Sequence, residues 1–331
     1  MDLIHATDEK IEVGEVKDFV KYDAEISLDP TVKKNSFALT MDESVWESSP
    51  IREGHFVYIP NSEWGGPIEH VKHSTKTAQI TLSGPTWRGM LARKIVEPPA
   101  GSAYLTLSAV EANAALQILF GDKFGDFFAI SSADTEAIVS GSYRYAQLLT
   151  AIGDTFNPAG LALVCGYNNI TRKATVSARR IADYSSLVEL SQDYGIYLTS
   201  NSGGLETYNH VIALGRGELT ERQVIHVYRL DDGTITTDNP GNRGRKDLCA
   251  IYDYSNAESE EELVKGATKF LSENAPLRSV DMDTAEITLS LELGDKISAR
   301  DRLTGLITTA TVKNKTLVIS DSGEKIETKV G

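Results

Sequence analysis

Cysteine is nearly absent: the 331 residues hold only Cys165 and Cys249. Neither sits in a CxxC or zinc-finger spacing, which argues against a disulfide framework and a thiolate zinc site. Two free, buried thiols are expected, suited to folding in a reducing cytosol. Basic residues are in deficit, with 33 Lys and Arg against 47 Asp and Glu, for a net charge of -14. That balance argues against general binding to phosphate backbones, which needs a positive surface. Its plain consequence is solubility. Long apolar runs are missing as well. None approaches the ~20 residues of a membrane helix, so no membrane span is expected. The start "MDLIHATDEK" lacks a basic region followed by an apolar run, so no signal peptide is expected.

What is present suits a globular protein of two or three domains, 41% hydrophobic and 24% charged. The first hundred residues alternate as strands do: "VKDFVKYDAEIS", "NSFALTM" and "HFVYI", separated by turn signals at Asp29-Pro30, Pro60-Asn61 and Gly65-Gly66-Pro67. A helix is expected over "SAVEANAALQILF", with Ser108 as its cap, Glu111 three residues on, and Ala112, Ala115, Leu116 and Leu119 as its apolar face. A second is expected over "SYRYAQLLTAIGDTF", with Tyr145, Leu148, Leu149 and Ile152 inward and Asn157-Pro158 as its stop. "GLALVCGYN" and "KATVSARR" predict a two-stranded hairpin.

Beyond Arg180 the pattern mixes. "SSLVELSQDYG" predicts a short helix and "IYLTSN" a strand. "NHVIALGRGEL" and "RQVIHVYRL" predict two strands, followed by a turn at Asp232-Gly233. "TTDNPGNRGRKD" is an expected exposed loop. "ESEEELVKGATKFLSENAP" is the clearest helix, acidic in its first turn and stopped by Pro276. "TAEITLSLEL", "KISAR", "LITTATV" and "TLVISD" return to strands. The fold class expected is α+β and β-rich. Its domains are a first β-barrel-like domain over 1–100, an α/β insert over 101–205, and a second β-barrel-like domain over 206–331 with a helix at about 258–273.

Two hairpins resemble each other. "REGHFVYIPNSEWGGPIEHV" begins at Arg52 and "ELGDKISARDRLTGLITTATV" at Glu292. Each places a glycine (Gly54, Gly294) before an alternating strand, then a second glycine (Gly66, Gly305) before a strand with isoleucine (Ile68, Ile307). Two related small barrels flanking an insert would produce this pattern, and so would chance similarity between hairpins.

Catalytic chemistry finds little support. "SNSGG", Ser200 to Gly204, lacks the leading Gly and the Asp of a protease serine loop. "LGRGEL" has Thr220 where a dinucleotide fingerprint needs Gly, and "GNRGRKD" lacks the end of a P-loop. His70 and His73 in "EHVKH" point to opposite faces of a strand, against a metal site. "RLDDGTI" lacks the remaining ligands of a calcium loop. The run Glu258 to Glu262 marks no catalytic pair. The expectation is therefore no enzyme, with no catalytic, cofactor-binding or metal residues and no cofactor. Alternatives are a cell-wall-degrading or peptidase component, or a carbohydrate-binding receptor module resting on Trp46 and Trp64 in loop-like contexts.

The stretch "LSGPTWRGMLARKIVEPP", Leu82 to Pro99, predicts a short amphipathic plug. Trp87, Met90, Leu91 and Ile95 would bury, and Arg88, Arg93 and Lys94 would face solvent or a neighbour. This stretch resembles a segment of siphophage tail hub proteins, the Gp-thirty-seven-like family of long-tailed phages and prophages. "NHVIALGRGELTERQVIHVYRLDDG" and the ending "VKNKTLVISDSGEKIETKVG" are similar to two further segments of that family. Pro85 replaces a usual Arg, and Thr328 stands where Pro is common.

The resemblance implies a trimeric tail-tip hub built from two barrel-like domains. Six quasi-equivalent barrels in the trimer would match a hexameric tail tube or distal tail ring. The implied partners are further copies of the chain, the distal tail protein or tube, a tape measure protein, and receptor-binding or fibre proteins. DNA would pass through without specific binding. The implied location is the virion tail tip, after assembly in the host cytoplasm.

Overall fold

The computed structural model describes residues 1–185, 189–190, 197–203, 207–257, 259–275, 277–284, 291–300, 303 and 307–330. They hold twenty-five strands and five α-helices: α1 (Glu43–Ser48), α2 (Trp87–Leu91), α3 (Ala112–Phe120), α4 (Leu148–Phe156) and α5 (Glu260–Glu273). The chain is thus β-rich with few helices. It divides into two compact units, one formed by Met1–Leu198 with Asp281–Gly331, the other by Thr199–Val280.

The first unit is organised by an antiparallel sheet in which chain ends meet. Strand Phe19–Ser27 lies between Ser36–Asp42 and the long C-terminal strand Ile307–Ser320. Gln79–Pro85 and then His70–Ser74 extend one side, and Gly323–Val330 the other. Register follows the alternation in the sequence. Ile319, Tyr22, Leu39 and Leu82 stand in one cross-strand row, and all four are buried. Burying each of the aliphatic side chains in this row contributes roughly 1.5–3 kcal/mol. A one-residue slip would turn the whole row to solvent, so the pattern fixes the pairing. The opposite face carries small and charged residues, including Lys21 and Asp23 paired at 2.9 Å.

The main core of this unit lies under α2, α3, α4 and the hairpin of Leu161–Asn168 with Lys173–Arg180. That hairpin forms as the sequence predicts. The apolar face of α3 also buries as expected, but its start differs. Residues Leu105–Glu111 are a strand, and Glu111, not Ser108, caps the helix by accepting from Ala114 N at 2.9 Å. The Thr135 hydroxyl donates to the same carboxylate at 2.6 Å. Burial alone would raise the Glu111 pKa. The Thr135 hydroxyl and the surrounding backbone N–H groups outweigh it and hold the carboxyl down at about 2. Tyr145 does not join α4. It precedes the helix, has positive φ, and is exposed.

Other differences are local. Glu189–Leu190 is a short strand rather than helix, and the rest of 186–196 lies outside the described residues. "LITTATV" and "TLVISD" belong to one strand, Ile307–Ser320. The expected strand at "TAEITLSLEL" falls mostly outside the described residues, while Leu277–Thr284 forms a strand before it. Trp64 is buried, and Trp46 lies in α1, half-buried, with its Nε1 donating to Ile51 O at 2.9 Å. Neither tryptophan is an exposed loop residue, which removes the basis for the carbohydrate-binding alternative.

The two similar hairpins share their backbone geometry at the opening turn. Gly54 and Gly294 both have φ near +90°, at +87° and +91°, a region that favours glycine. Gly54 N donates to Ile68 O and Ile68 N to His55 O, at 2.8 and 2.7 Å. Gly294 N donates to Val312 O and Val312 N to Asp295 O, both at 2.9 Å. The strands then run on from Phe56 opposite Pro67 and from Lys296 opposite Thr311. The counterpart of Ile68 is therefore Val312, not Ile307, which pairs with Arg300. Gly305 lies outside the described residues. The first glycines match as the sequence suggests; the isoleucines do not.

The second unit holds a four-stranded sheet in the order Ile235–Thr236, Val224–Arg229, His210–Leu214, Cys249–Asp253. The last strand runs parallel to His210–Leu214. Helix α5 covers one face, where Val211, Ala213 and Val227 pack with Leu263, Ala267 and Leu271. Ser259 caps α5 by accepting from Glu262 N at 3.2 Å, and Glu260, Glu261 and Glu262 complement the helix dipole.

Candidate assembly surfaces

The plug stretch folds against strand Gln79–Pro85 as α2, capped by Thr86, whose Oγ1 accepts from Gly89 N at 3.3 Å. The helix is pressed tightly onto its neighbour. A Cβ on Gly89 would lie 2.0 Å from Asn35 O, so only glycine fits. Asn35 is itself buried and fully engaged. Its side chain bonds Ser27 N, Asp29 O and Thr31 O, and its carbonyl accepts from Thr86 N. Trp87 stacks on Tyr167 with centroids 4.8 Å apart. Leu91 buries as expected, Met90 is partly buried, and Ile95 is 43% exposed.

The larger correction concerns Arg88, which is 2% exposed and does not face solvent. It pairs with Glu63 through Nε and Nη2, the latter at 3.2 Å from Oε2, and donates from Nη2 to Leu163 O at 2.8 Å. Arg88 thereby ties the plug both to the turn at Glu63 and to the core hairpin. Arg93 remains on the surface with Glu69, and the Lys94 ammonium lies over the Phe124 ring at 5.0 Å.

The loop Thr236 to Asp247 is largely exposed, as its composition predicts, with a short 3-10 turn at Gly244–Lys246. Arg243 is drawn inward, donating from Nη2 to Arg229 O at 2.8 Å and from Nη1 to Asn209 O at 3.3 Å. Arg245 and Lys246 are the exposed cations of the loop.

The motifs weighed for catalysis are dispersed. Ser200 to Gly203 lie in strand Tyr197–Gly203, and Gly204 is outside the described residues. Gly215 and Gly217 lie in the connection between two strands, Asp232-Gly233 forms a turn, and the Gly241–Asp247 segment is loop. Glu258 is outside the described residues. His70 and His73 are both exposed, and His73 Nε2 sits 3.6 Å from a Glu43 carboxylate oxygen. Burial pushes the Cys165 thiol well up, with the Glu63 carboxylate adding to it. Cys249 is exposed, against expectation, because it stands on the open face of an edge strand. Two histidine pairs, His5 with His55 and His210 with His226, each joined at 2.8 Å, have no signature in the sequence. The partners are far apart in the chain, and only strand pairing brings them together. Among the described residues, no group of three or more His, Cys, Asp or Glu side chains is arranged to hold a metal ion, and no helix is long and apolar enough to cross a membrane.

No protein-family model and no curated protein matches the sequence. Solved structures do match the fold along nearly the whole chain. The prophage MuSo2 43 kDa tail protein from Shewanella oneidensis is 12% identical with a TM-score of 0.53, covering 100% of this chain and 98% of its own. The prophage tail protein gp18 from Listeria monocytogenes EGD-e is 12% identical with a TM-score of 0.53, covering 99% and 94%. The tail protein from Neisseria meningitidis MC58 is 13% identical with a TM-score of 0.51, covering 99% and 95%. The chain has the fold of phage and prophage tail proteins.

Proposed function

We propose that this chain is a structural, non-enzymatic tail protein acting as a tail-tip hub. Three copies would form a ring connecting a hexameric tail tube or distal tail ring to the host-facing tip. The observation that carries the reading is fold similarity to tail proteins over nearly the whole length of both chains. The matched turns at Gly54 and Gly294 support it from within the molecule. A chain with two equivalent barrel domains, over 1–100 and 206–331 around an insert at 101–205, would give six similar modules per trimer and meet a six-fold partner without symmetry mismatch.

The hub would sit at the virion tail tip after assembly in the host cytoplasm. It would contact the distal tail ring or tube, a tape measure protein, and receptor-binding or fibre proteins. DNA would traverse the ring without specific contacts, consistent with a net charge of -14. Sedimentation or native mass measurement of the purified 36.1 kDa chain tests the assembly. A mass of three chains is expected, and a monomer at all concentrations rejects the ring. Zymography on host cell wall tests the non-enzymatic reading: no clearing is expected, and a clear zone rejects it.

A further inference from the structure

The sheet of the second unit ends at Cys249–Asp253, which has a strand on one side only among the described residues. Alternate backbone N–H and C=O groups of such an edge point away from the sheet and can take up another strand. Edges elsewhere in the molecule are protected against this. His70–Ser74 holds Lys72, Glu12–Glu15 holds two glutamates, Gly65–Pro67 holds a proline, and Ile235–Thr236 is very short. Charge, proline and shortness all discourage pairing. Cys249–Asp253 has neither proline nor a central charge. Its one charged residue, Asp253, is the last, and Arg222 binds it at 2.6 Å. Ile251 at its centre is 66% exposed.

We propose that this edge docks a second copy of the chain, the two Cys249–Asp253 strands pairing antiparallel about a two-fold axis at Ile251. The four-stranded sheets of the two copies then run on as one, with both α5 helices on the same side. Directly opposed residues of an antiparallel pair share a face, and centring on Ile251 engages the whole strand. Ile251 meets the partner's Ile251, Ala250 the partner's Tyr252, and Cys249 the partner's Asp253. On the side of α5 this sets a small residue against a large one, since Ala250 and Tyr252 both pack toward the helix. On the open side Ile212 stands beside Ile251, so four isoleucines from two copies form one continuous row. The exposed side chain is thereby covered.

Charge selects both the occupant and the direction. Arg245 and Lys246 lead into the strand and are exposed, while Asp247 between them and the strand is engaged by His210 at 3.0 Å. Glu260 and Glu261 follow the strand at the start of α5 and are exposed. A strand with a basic approach and an acidic exit complements itself when antiparallel. The cations of each copy then lie toward the partner's Glu260 and the partner's Glu261, whereas parallel pairing would set like charges together. The strand spans only about 17 Å, so the contact is smaller than the about 800 Å² per partner of a standard interface. It should therefore be weak and concentration-dependent. Being two-fold and isologous, it is separate from a three-fold ring and joins whatever unit the chain forms on its own.

Sedimentation of the full chain over rising concentration at low salt tests the pairing. The mass should double at high concentration, from one chain to two or from three to six. Ile251→Lys should abolish the doubling, because a central lysine blocks an edge. Since Ile251 is exposed, the dilute mass and the circular dichroism should not change. Reversing the loop charges with Arg245→Glu and Lys246→Glu should also abolish the doubling at low salt, and adding Glu260→Lys and Glu261→Lys should restore it. A native chain that never doubles overturns the proposal. So does doubling that survives Ile251→Lys, or a charge-exchanged chain that does not recover it. A dilute mass of one chain that doubles to two rejects the three-fold ring and supports this pairing, so the two readings fail separately.

Discussion

Replacing Arg88 by methionine isolates the interaction that locks the plug into the core. The methionine fills most of the aliphatic volume but leaves Glu63 without its cation and Leu163 O without its donor. The Glu63 side chain is only 13% exposed, so its charge gains little from water. Breaking a buried pair in this way costs about 3–5 kcal/mol. Glu63→Gln should cost a comparable amount, since it leaves the guanidinium uncompensated. The double variant removes both charges and should retain only the lost bond to Leu163 O and imperfect packing, about 1–2 kcal/mol. A coupling energy of several kcal/mol is therefore expected from the cycle. Urea unfolding followed by tryptophan fluorescence is the suitable assay, because Trp46, Trp64 and Trp87 all belong to the first unit. In heating experiments, at roughly 2–4 °C per kcal/mol, Arg88→Met should lower the midpoint by on the order of 10 °C. A loss below about 1 kcal/mol, or single-variant effects that simply add, would refute the claim that this is a desolvated, mutually dependent pair.

Three further outcomes are expected. Burial, and then the neighbouring His55, lower the His5 pKa to about 4 from 6.5. The unfolded chain therefore takes up a proton that the folded chain resists. Stability should be full above pH 6.5 and fall by about 2 kcal/mol as pH drops toward 4; urea midpoints across that window, flattened in His5→Gln, check it. Gly89→Ala should destabilise the first unit by about 1–3 kcal/mol, because α2 must move away from Asn35 O; an unchanged fluorescence midpoint contradicts this. Reversing the charge of Arg245 and Lys246, with Arg243 left in place, should weaken particle assembly at moderate salt; unchanged assembly removes this loop from the subunit contacts.

Local pattern carried much of the fold. The hairpin Leu161–Arg180, the apolar face of α3 and the capped helix α5 were legible because each depends on neighbours within one or two turns or one tight connection. The parallel strand Cys249–Asp253 was not legible. Its partner His210–Leu214 is distant in the chain, and its exposed face carries Cys249, Ile251 and Asp253 without a clear period. The sequence pattern points Arg88 to solvent because a cation on an amphipathic segment ordinarily snorkels. Its burial depends on Glu63 and Leu163 O, which the fold brings from 25 and 75 residues away. The same applies to His210 and Asp247. Their separation of 37 residues hides a contact made only when the sheet forms. Gly54 and Gly294 lie between these cases, since each glycine marks its own turn and only the geometry shows which strand residue follows it.

The most direct test of the hub assignment is electron microscopy of tail particles carrying a tagged copy of this chain. The account predicts a three-fold ring of tag density at the end of the tail tube, and tails that fail to complete their tip when the chain is absent. Complete, tipped tails assembled without it, or tag density along the tube or in the head, would contradict the account.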